Sequence, residues 1–317
     1  MKILVTIFCL MAANFVFATG YVTSFPLTES PISEGGVWTN GFTTGLDWSD
    51  VHTTTGFAFG TQSGSGGVND TTAVVAGDYG SGDQVAQAVV HIATRDNIDY
   101  EEVELRLKTK ITGHSITGYE ILFSVNADDP YVQIARWNGP FANYDELNNG
   151  VDPPIIQDGD VVKAVYHAGT ITAYVNGVQA CIAGDSTYTT GQPGIGSYLQ
   201  TGTHPDHYGF SSFVASDGSD PFIVTQPSSQ SVTVGANATF TVAAGGFSTL
   251  SYQWKFNGSN VGSNSSNYTR SNCQLSDDGG TVTCVVTDTA GNVTTSSVTL
   301  SVTGGTPAAF FPMTFRR

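Results

Sequence analysis

Glu102 and Glu104 stand two positions apart in the run Glu101-Glu-Val-Glu-Leu-Arg-Leu-Lys108. In a strand that spacing puts both carboxylates on one face. Paired carboxylates are what cleavage of a glycosidic bond requires, and in retaining enzymes they lie roughly 5–5.5 Å apart. Arg106 and Lys108 continue the same alternation, so the plainer expectation is a solvated strand face with cross-strand ion pairs. A second constellation has the chemistry of binding. In Tyr131-Val-Gln-Ile-Ala-Arg-Trp137, Val132 and Ile134 take one face, and Tyr131, Gln133 and Trp137 take the other. Aromatic rings stack on the apolar C–H faces of sugars while nearby polar side chains read the hydroxyls. Tyr174, on a later hairpin, is expected to join them. Tyr131, Gln133, Trp137 and Tyr174 are thus the candidate glycan groove, and ordinary sheet-covering aromatics are the alternative.

The elements that must position these residues are strands. In Glu102–Lys108, Val103, Leu105 and Leu107 alternate with charged residues, the period of a strand with two different faces. Gly118–Val125 and Tyr131–Trp137 follow, separated by the turn-forming Asn126-Ala-Asp-Asp-Pro130. Val161–His167 turns at Ala168-Gly169 into Thr170–Gly177, a hairpin in which glycine supplies a positive φ. Gln84–Thr94 and His207–Asp217 read as two more strands. Asn138–Asp160 reads as a loop and Gly191–Gly196 as a tight corner. Trp38 near the start and Phe210 and Phe213 near the end are expected core partners. No long segment has a helical apolar period, so the chain of 317 residues is expected to be nearly all β, a sandwich or jelly roll.

Composition narrows the setting. Residues 1–18 read as a secretory signal peptide: Lys2 is the positive end, Ile3–Phe17 the apolar run, and Val16-Phe17-Ala18 the cleavage site. The run is shorter than the ~20 residues of a spanning helix. Removing it takes Lys2 from the 11 basic residues and leaves 27 acids, a formal charge of −17. Such a charge disfavours nucleic acid and anionic membrane surfaces as partners. Three cysteines remain, Cys181, Cys273 and Cys284. Cys273 and Cys284 are the close pair, and export permits their oxidation, so a bridge and free thiols both stay open. His204 and His207 flank a Pro-containing loop and are not expected to form a metal pair. A polar, turn-rich boundary falls at Asp217-Gly-Ser-Asp-Pro221, giving a first domain at 19–217, a linker at 218–221, a second domain at 222–303 and a tail at 304–317.

The second domain resembles the bacterial immunoglobulin-like domains of exported surface proteins. Trp254 in Tyr252-Gln-Trp-Lys-Phe-Asn-Gly258 stands where that family keeps its core tryptophan, and Asp278–Cys284 follows its DxGxYxC corner. Val282 replaces the tyrosine, and Val242 stands at the first cysteine position. The first domain resembles the concanavalin A-like lectin/glucanase superfamily in its LamG-like branch. The marks are Gly118-Tyr-Glu-Ile-Leu-Phe-Ser124, Tyr131–Gly139, the hairpin Gly159–Val178, and Asp185–Tyr198. The resemblance implies two stacked antiparallel sheets that bind glycans or proteins and in some members cleave glycans. Its retaining glucanases carry an ExDxE-type strand, and Glu102-Val-Glu104 lacks the central aspartate. It further implies a structural Ca²⁺ near the terminal strands, for which Glu29, Glu34 and Asp217 are the candidate ligands; Ca²⁺ wants six to eight oxygens.

The expectation is therefore a secreted, non-catalytic binding or adhesion protein. Its jelly roll would recognise a carbohydrate and its immunoglobulin-like domain would act as spacer. The alternatives are a glycan-active hydrolase of the same superfamily, with Glu102 and Glu104 as its acids, and a structural cell-surface or appendage protein.

Overall fold

The computed structural model describes residues 20–62, 69–80, 82–97, 100–140, 142–150, 152–218, 221–246, 249–289 and 291–304. The expected leader at 1–18 and all but the first residue of the 304–317 tail lie outside the described residues. None of the described helices is long and apolar enough to cross a membrane.

The N-terminal unit is a sandwich of two antiparallel sheets. In chain order its strands are β1 (Gly20–Thr23), β2 (Trp38–Asn40), β3 (His52–Thr54), β4 (Phe57–Phe59), β5 (Asp70–Val75), β6 (Gln84–Ile92), β7 (Glu101–Thr112) and β8 (Ser115–Ser124). They continue with β9 (Val132–Gly139), β10 (Tyr144–Asn149), β11 (Val161–His167), β12 (Thr170–Val175), β13 (Val178–Gly184), β14 (Gln192–Leu199) and β15 (Tyr208–Ser216). One sheet runs β13-β12-β11-β6-β15-β4-β3, with β1 beside β15, and the other runs β10-β9-β8-β7-β14-β5-β2. The consecutive hairpins β7 to β10 form one side of the second sheet, and β11 to β13 form the end of the first.

Alternation builds the core between the sheets. Val103, Leu105 and Leu107 of β7, Ile121 and Phe123 of β8, and Val132 and Ile134 of β9 are each fully buried against Ala86, Val162, Ala164 and Ile171 of the facing sheet. Each large aliphatic side chain withdrawn from water contributes roughly 1.5–3 kcal/mol. Trp38 packs on Phe213 at 5.4 Å between ring centres, joining the early and late strands as expected. The β11–β12 hairpin closes through Ala168 (φ 47°) and Gly169 (φ 80°), the two left-handed residues that match the twist of paired strands.

Three local expectations differ. Tyr144–Asn149, read as loop, is the edge strand β10; its sequence has no apolar alternation because it is largely exposed. Gly191–Gly196, read as a corner, runs almost entirely within β14. Lys108 leaves the face of Glu102, Glu104 and Arg106. β7 bulges between Leu107 and Lys110, and Lys108 takes φ 52°. Its ammonium therefore lies over the Tyr166 ring of the opposite sheet, at 5.2 Å.

β15 ends at Ser216 and the next strand begins at Phe222. The C-terminal unit is an immunoglobulin-like sandwich. Strands Ser251–Phe256 and Gly280–Thr287 pair antiparallel at its centre, and Gln230–Thr233 pairs parallel with Val298–Thr303. Trp254 is fully buried among Phe240, Val242, Val282, Cys284 and Leu300, and its indole N–H donates to the Ser265 carbonyl at 2.9 Å. The expected alternative of a Cys273–Cys284 bridge is corrected: both thiols are free and buried. The Cys273 thiol lies 3.3 Å from the Arg270 carbonyl and the Cys284 thiol 3.7 Å from the Val285 carbonyl, so each is turned to a backbone acceptor of its own. Cys181 is likewise free and buried.

Candidate functional site

The outer face of the second sheet is organised by register. Tyr198 of β14 stands between Asp70 of β5 and Glu102 of β7. One step along the strands, Gly196 faces Glu104, which faces Leu122, which faces Gln133. One step further, Gly194 faces Arg106, then Glu120, then Ala135 and Glu146. Trp137 and Tyr144 pair at the end of the β9–β10 ladder.

This face is not the solvated surface expected from the sequence. Glu102, Glu104, Arg106 and Glu120 are at most 5% exposed. The cover is the segment between β2 and β3. Trp48 is buried there with Leu46, Ile116 and Trp137, and its ring meets that of Trp137 at 4.7 Å. The Arg106 guanidinium lies over the Trp48 ring at 4.9 Å.

Under that cover four carboxyls surround one guanidinium. Arg106 pairs with Glu104 and, at 2.6 Å, with Glu120. Glycine on β14 makes the space: a Cβ at Gly196 would come within 2.4 Å of a Glu104 carboxylate oxygen and 2.8 Å of an Arg106 nitrogen. The Trp137 indole N–H donates to Glu120, and the Tyr131 hydroxyl donates to Glu102. The Asp70 backbone carbonyl accepts from the Ser49 N–H at 2.9 Å, and its carboxyl accepts no hydrogen bond from a described residue. Burial, then the neighbouring Glu120 charge, pushes the Asp70 carboxyl up to about 8, with Arg106 working in the opposite direction. Burial likewise pushes Glu102 up to about 8, opposed by the Tyr131 hydrogen bond. Glu104 is raised well above the carboxylate range by burial despite Arg106.

Toward β10 the cover ends and a groove of about 670 Å³ opens. Asp70, Glu102 and Glu120 form its acidic floor, with Glu146 nearer the rim; Tyr100, Tyr131, Trp137, Tyr144 and Tyr198 supply rings; Gln133, Asn149 and Gln200 supply amides. Tyr144 packs on Trp137 at 5.1 Å and Tyr100 on Tyr131 at 6.3 Å, and about half of each outer ring faces solvent.

Three of the four residues named for a glycan groove, Tyr131, Gln133 and Trp137, thus line one cavity. Tyr174 does not. It lies on β12 in the opposite sheet, across from Lys163 and Gln179. Of the two candidate acids, Glu102 reaches the groove and Glu104 lies beneath it, bound to Arg106. Sequence reasoning missed Asp70 and Glu120. Asp70 follows a glycine-rich stretch without strand alternation, whereas Glu120 was within reach, since it shares its face with Leu122 in a strand already identified.

The calcium candidates are not assembled. Glu29 accepts backbone N–H groups from Ser33 and Glu34 at 2.9 and 2.8 Å. Glu34 accepts from the Tyr21 and Thr23 hydroxyls and, at 2.9 Å, from the Trp38 indole. Burial raises the Glu34 carboxyl, opposed by that indole bond. Asp217 lies instead among the charges near Lys108 and Tyr79. Among the described residues, the groups that converge with metal-ligand spacing are His204, Asp206 and His207 on a loop, and Asp70, Glu104 and Glu120 under the groove. In the first, the His204 and His207 rings stack at 4.3 Å. In the second, the Arg106 guanidinium already occupies the position of positive charge.

No curated protein matches the chain in sequence. The immunoglobulin domain family model matches residues 220–288. Among solved structures, the chain is similar to the carbohydrate binding module CBM66 from Bacillus subtilis, with 13% identity over 59% of this chain and 95% of that one and a TM-score of 0.41. It is also similar to titin M4, with 26% identity over 26% of this chain and 96% of that one and a TM-score of 0.25. Titin domain M7 gives 26% identity over 27% of this chain and 95% of that one, with a TM-score of 0.24. The molecule is an all-β chain, a jelly-roll sandwich followed by an immunoglobulin-like sandwich.

Proposed function

We propose that the chain is a secreted, non-catalytic carbohydrate-binding protein that holds a glycan in the groove beside β9 and β10, with the immunoglobulin-like domain as its spacer. The observation that carries this reading is the lining itself. Five aromatic rings, two of them half-exposed, stand around carboxyl and amide groups in one cavity. Rings give the apolar faces of a sugar a platform, and the polar groups fix its hydroxyls. The concanavalin A-like resemblance agrees with such a role. The test is a glycan array with the purified chain, followed by titration of the best ligand into the Tyr144→Ala variant. Tyr144 is 46% exposed, so the fold tolerates its loss. Affinity is expected to fall roughly 3- to 10-fold. Silence on the array, or unchanged affinity in the variant, would reject the groove.

A second reading, a glycan hydrolase, draws on the raised Glu102 and Asp70 carboxyls, because a general acid must hold its proton near neutral pH. Prolonged incubation of the array ligands with the chain separates the two. New reducing ends that vanish in Glu102→Gln would favour hydrolysis.

A further inference from the structure

The groove has a lopsided lining of acids without bases. Asp70, Glu102, Glu120 and Glu146 line it, and no Lys, Arg or His does so among the described residues. The nearest cation, Arg106, is already taken by Glu104 and Glu120. That leaves Asp70, 93% buried and with no hydrogen bond to its carboxyl from a described residue, and Glu102, whose carboxyl accepts the Tyr131 hydroxyl on one of its two oxygens. Tyr198 stands directly between these two acids in the ladder, and the exposed rings of Tyr100 and Tyr144 stand at the mouth. Buried carboxyl oxygens beside aromatic faces form a site for a cation that also presents an apolar surface.

Resting on the glycan-groove reading, we infer that the ligand is an amino sugar, its protonated amine placed against the Asp70 and Glu102 carboxyls that flank Tyr198 and its ring face laid on the groove aromatics. A neutral sugar leaves the surplus carboxyls unmatched, and a uronic acid brings another carboxylate against acids that burial already keeps from ionising. A bare metal ion has no use for the rings, and it would share the pocket with Arg106. An ammonium compensates the acids and brings its own C–H face.

Binding of such a cation moves protons. Burial pushes the Asp70 and Glu102 carboxyls up to about 8, which keeps them largely protonated at pH 7. An ammonium against them favours their ionised forms, so protons leave the carboxyls on binding.

The decisive experiment is isothermal titration of the full chain at pH 7 with four probes: a β-1,4-linked glucosamine tetramer, its N-acetylated form, a galacturonic acid oligomer and tetralysine. Each titration is run in phosphate and in Tris to count released protons, and repeated with a chelator. The glucosamine tetramer is expected to bind at least about tenfold more tightly than the other three, the scale of one charge-assisted hydrogen bond, and to release protons. Asp70→Asn is expected to lose about tenfold for this ligand and to release fewer protons. Equal or tighter binding of the N-acetylated or acidic oligomer overturns the amino-sugar inference and leaves the glycan groove standing. Tetralysine binding as tightly also overturns it, since the sugar ring then contributes nothing. Binding that a chelator abolishes assigns the acids to a metal and overturns it too. No binding of any oligosaccharide here and on the array overturns both readings. If Asp70→Asn does not fold, the wild-type ranking and proton count decide.

Discussion

Asp70 and Glu102 are destabilised by the surroundings that make them useful. Burial pushes their carboxyls up to about 8 in the folded chain, against about 4 in an unfolded one. A raised folded-state value means that the native state binds the proton more tightly. Stability is therefore fullest below about pH 4 and drains away as the pH climbs to about 8. Asp70→Asn removes one titrating group and a like charge beside Glu120. Measured by urea unfolding, the variant should gain on the parent by roughly 2–4 kcal/mol between pH 4.5 and pH 8. A difference that does not change with pH would mean that Asp70 is already ionised in the folded protein. Little of this was legible in the sequence. The Glu102–Glu104 spacing revealed a shared face, but a period of two says which residues share a face and not whether that face meets water.

At the scale of elements, the alternating strands were the legible part. β6, β7, β8, β9, β11, β12 and β15 each carry an apolar residue at every second position over part of their length, and buried partners across the sandwich reward that pattern. Sheet membership was not legible, because β9 and β12 alternate alike. Tyr174 was therefore grouped with Trp137 although β11 and β12 extend the opposite sheet. The cover of the outer face was also hidden. It comes from Gly41–Asp50, a stretch with a four-residue helix, Gly41–Thr44, and no repeat. Its anchor is Trp48, 1% exposed over Arg106. Trp48→Ala should cost about 3–5 kcal/mol, the range for deleting a buried aromatic ring. Phe42→Ala in the same segment, at 69% exposure, should stay within about 0.5 kcal/mol. Equal effects in urea denaturation would mean that the segment does not pack as a cover.

Across the whole molecule, two sandwiches of similar chemistry sit on one acidic chain, and they secure their cores differently. The jelly roll buries a continuous apolar layer between two broad sheets. The immunoglobulin-like unit is small, and small sandwiches of exported proteins often rely on a cross-link. Here Val242 takes the place of one cysteine, and Cys284 packs as an apolar side chain beside Trp254. Burial pushes the Cys284 thiol up to about 11 and also raises Cys181, so neither is an available thiolate at neutral pH. The domain's stability must then come from packing around Trp254 and from its backbone ladder, and reductant has nothing to break. The full chain should show the same thermal unfolding profile with and without dithiothreitol. Cys181, Cys273 and Cys284 should be silent toward a thiol reagent in buffer and should all react in denaturant. A reductant-sensitive transition, or fewer reactive thiols after unfolding, would show that the chain closes a bridge between cysteines that the fold keeps apart as separate packing residues.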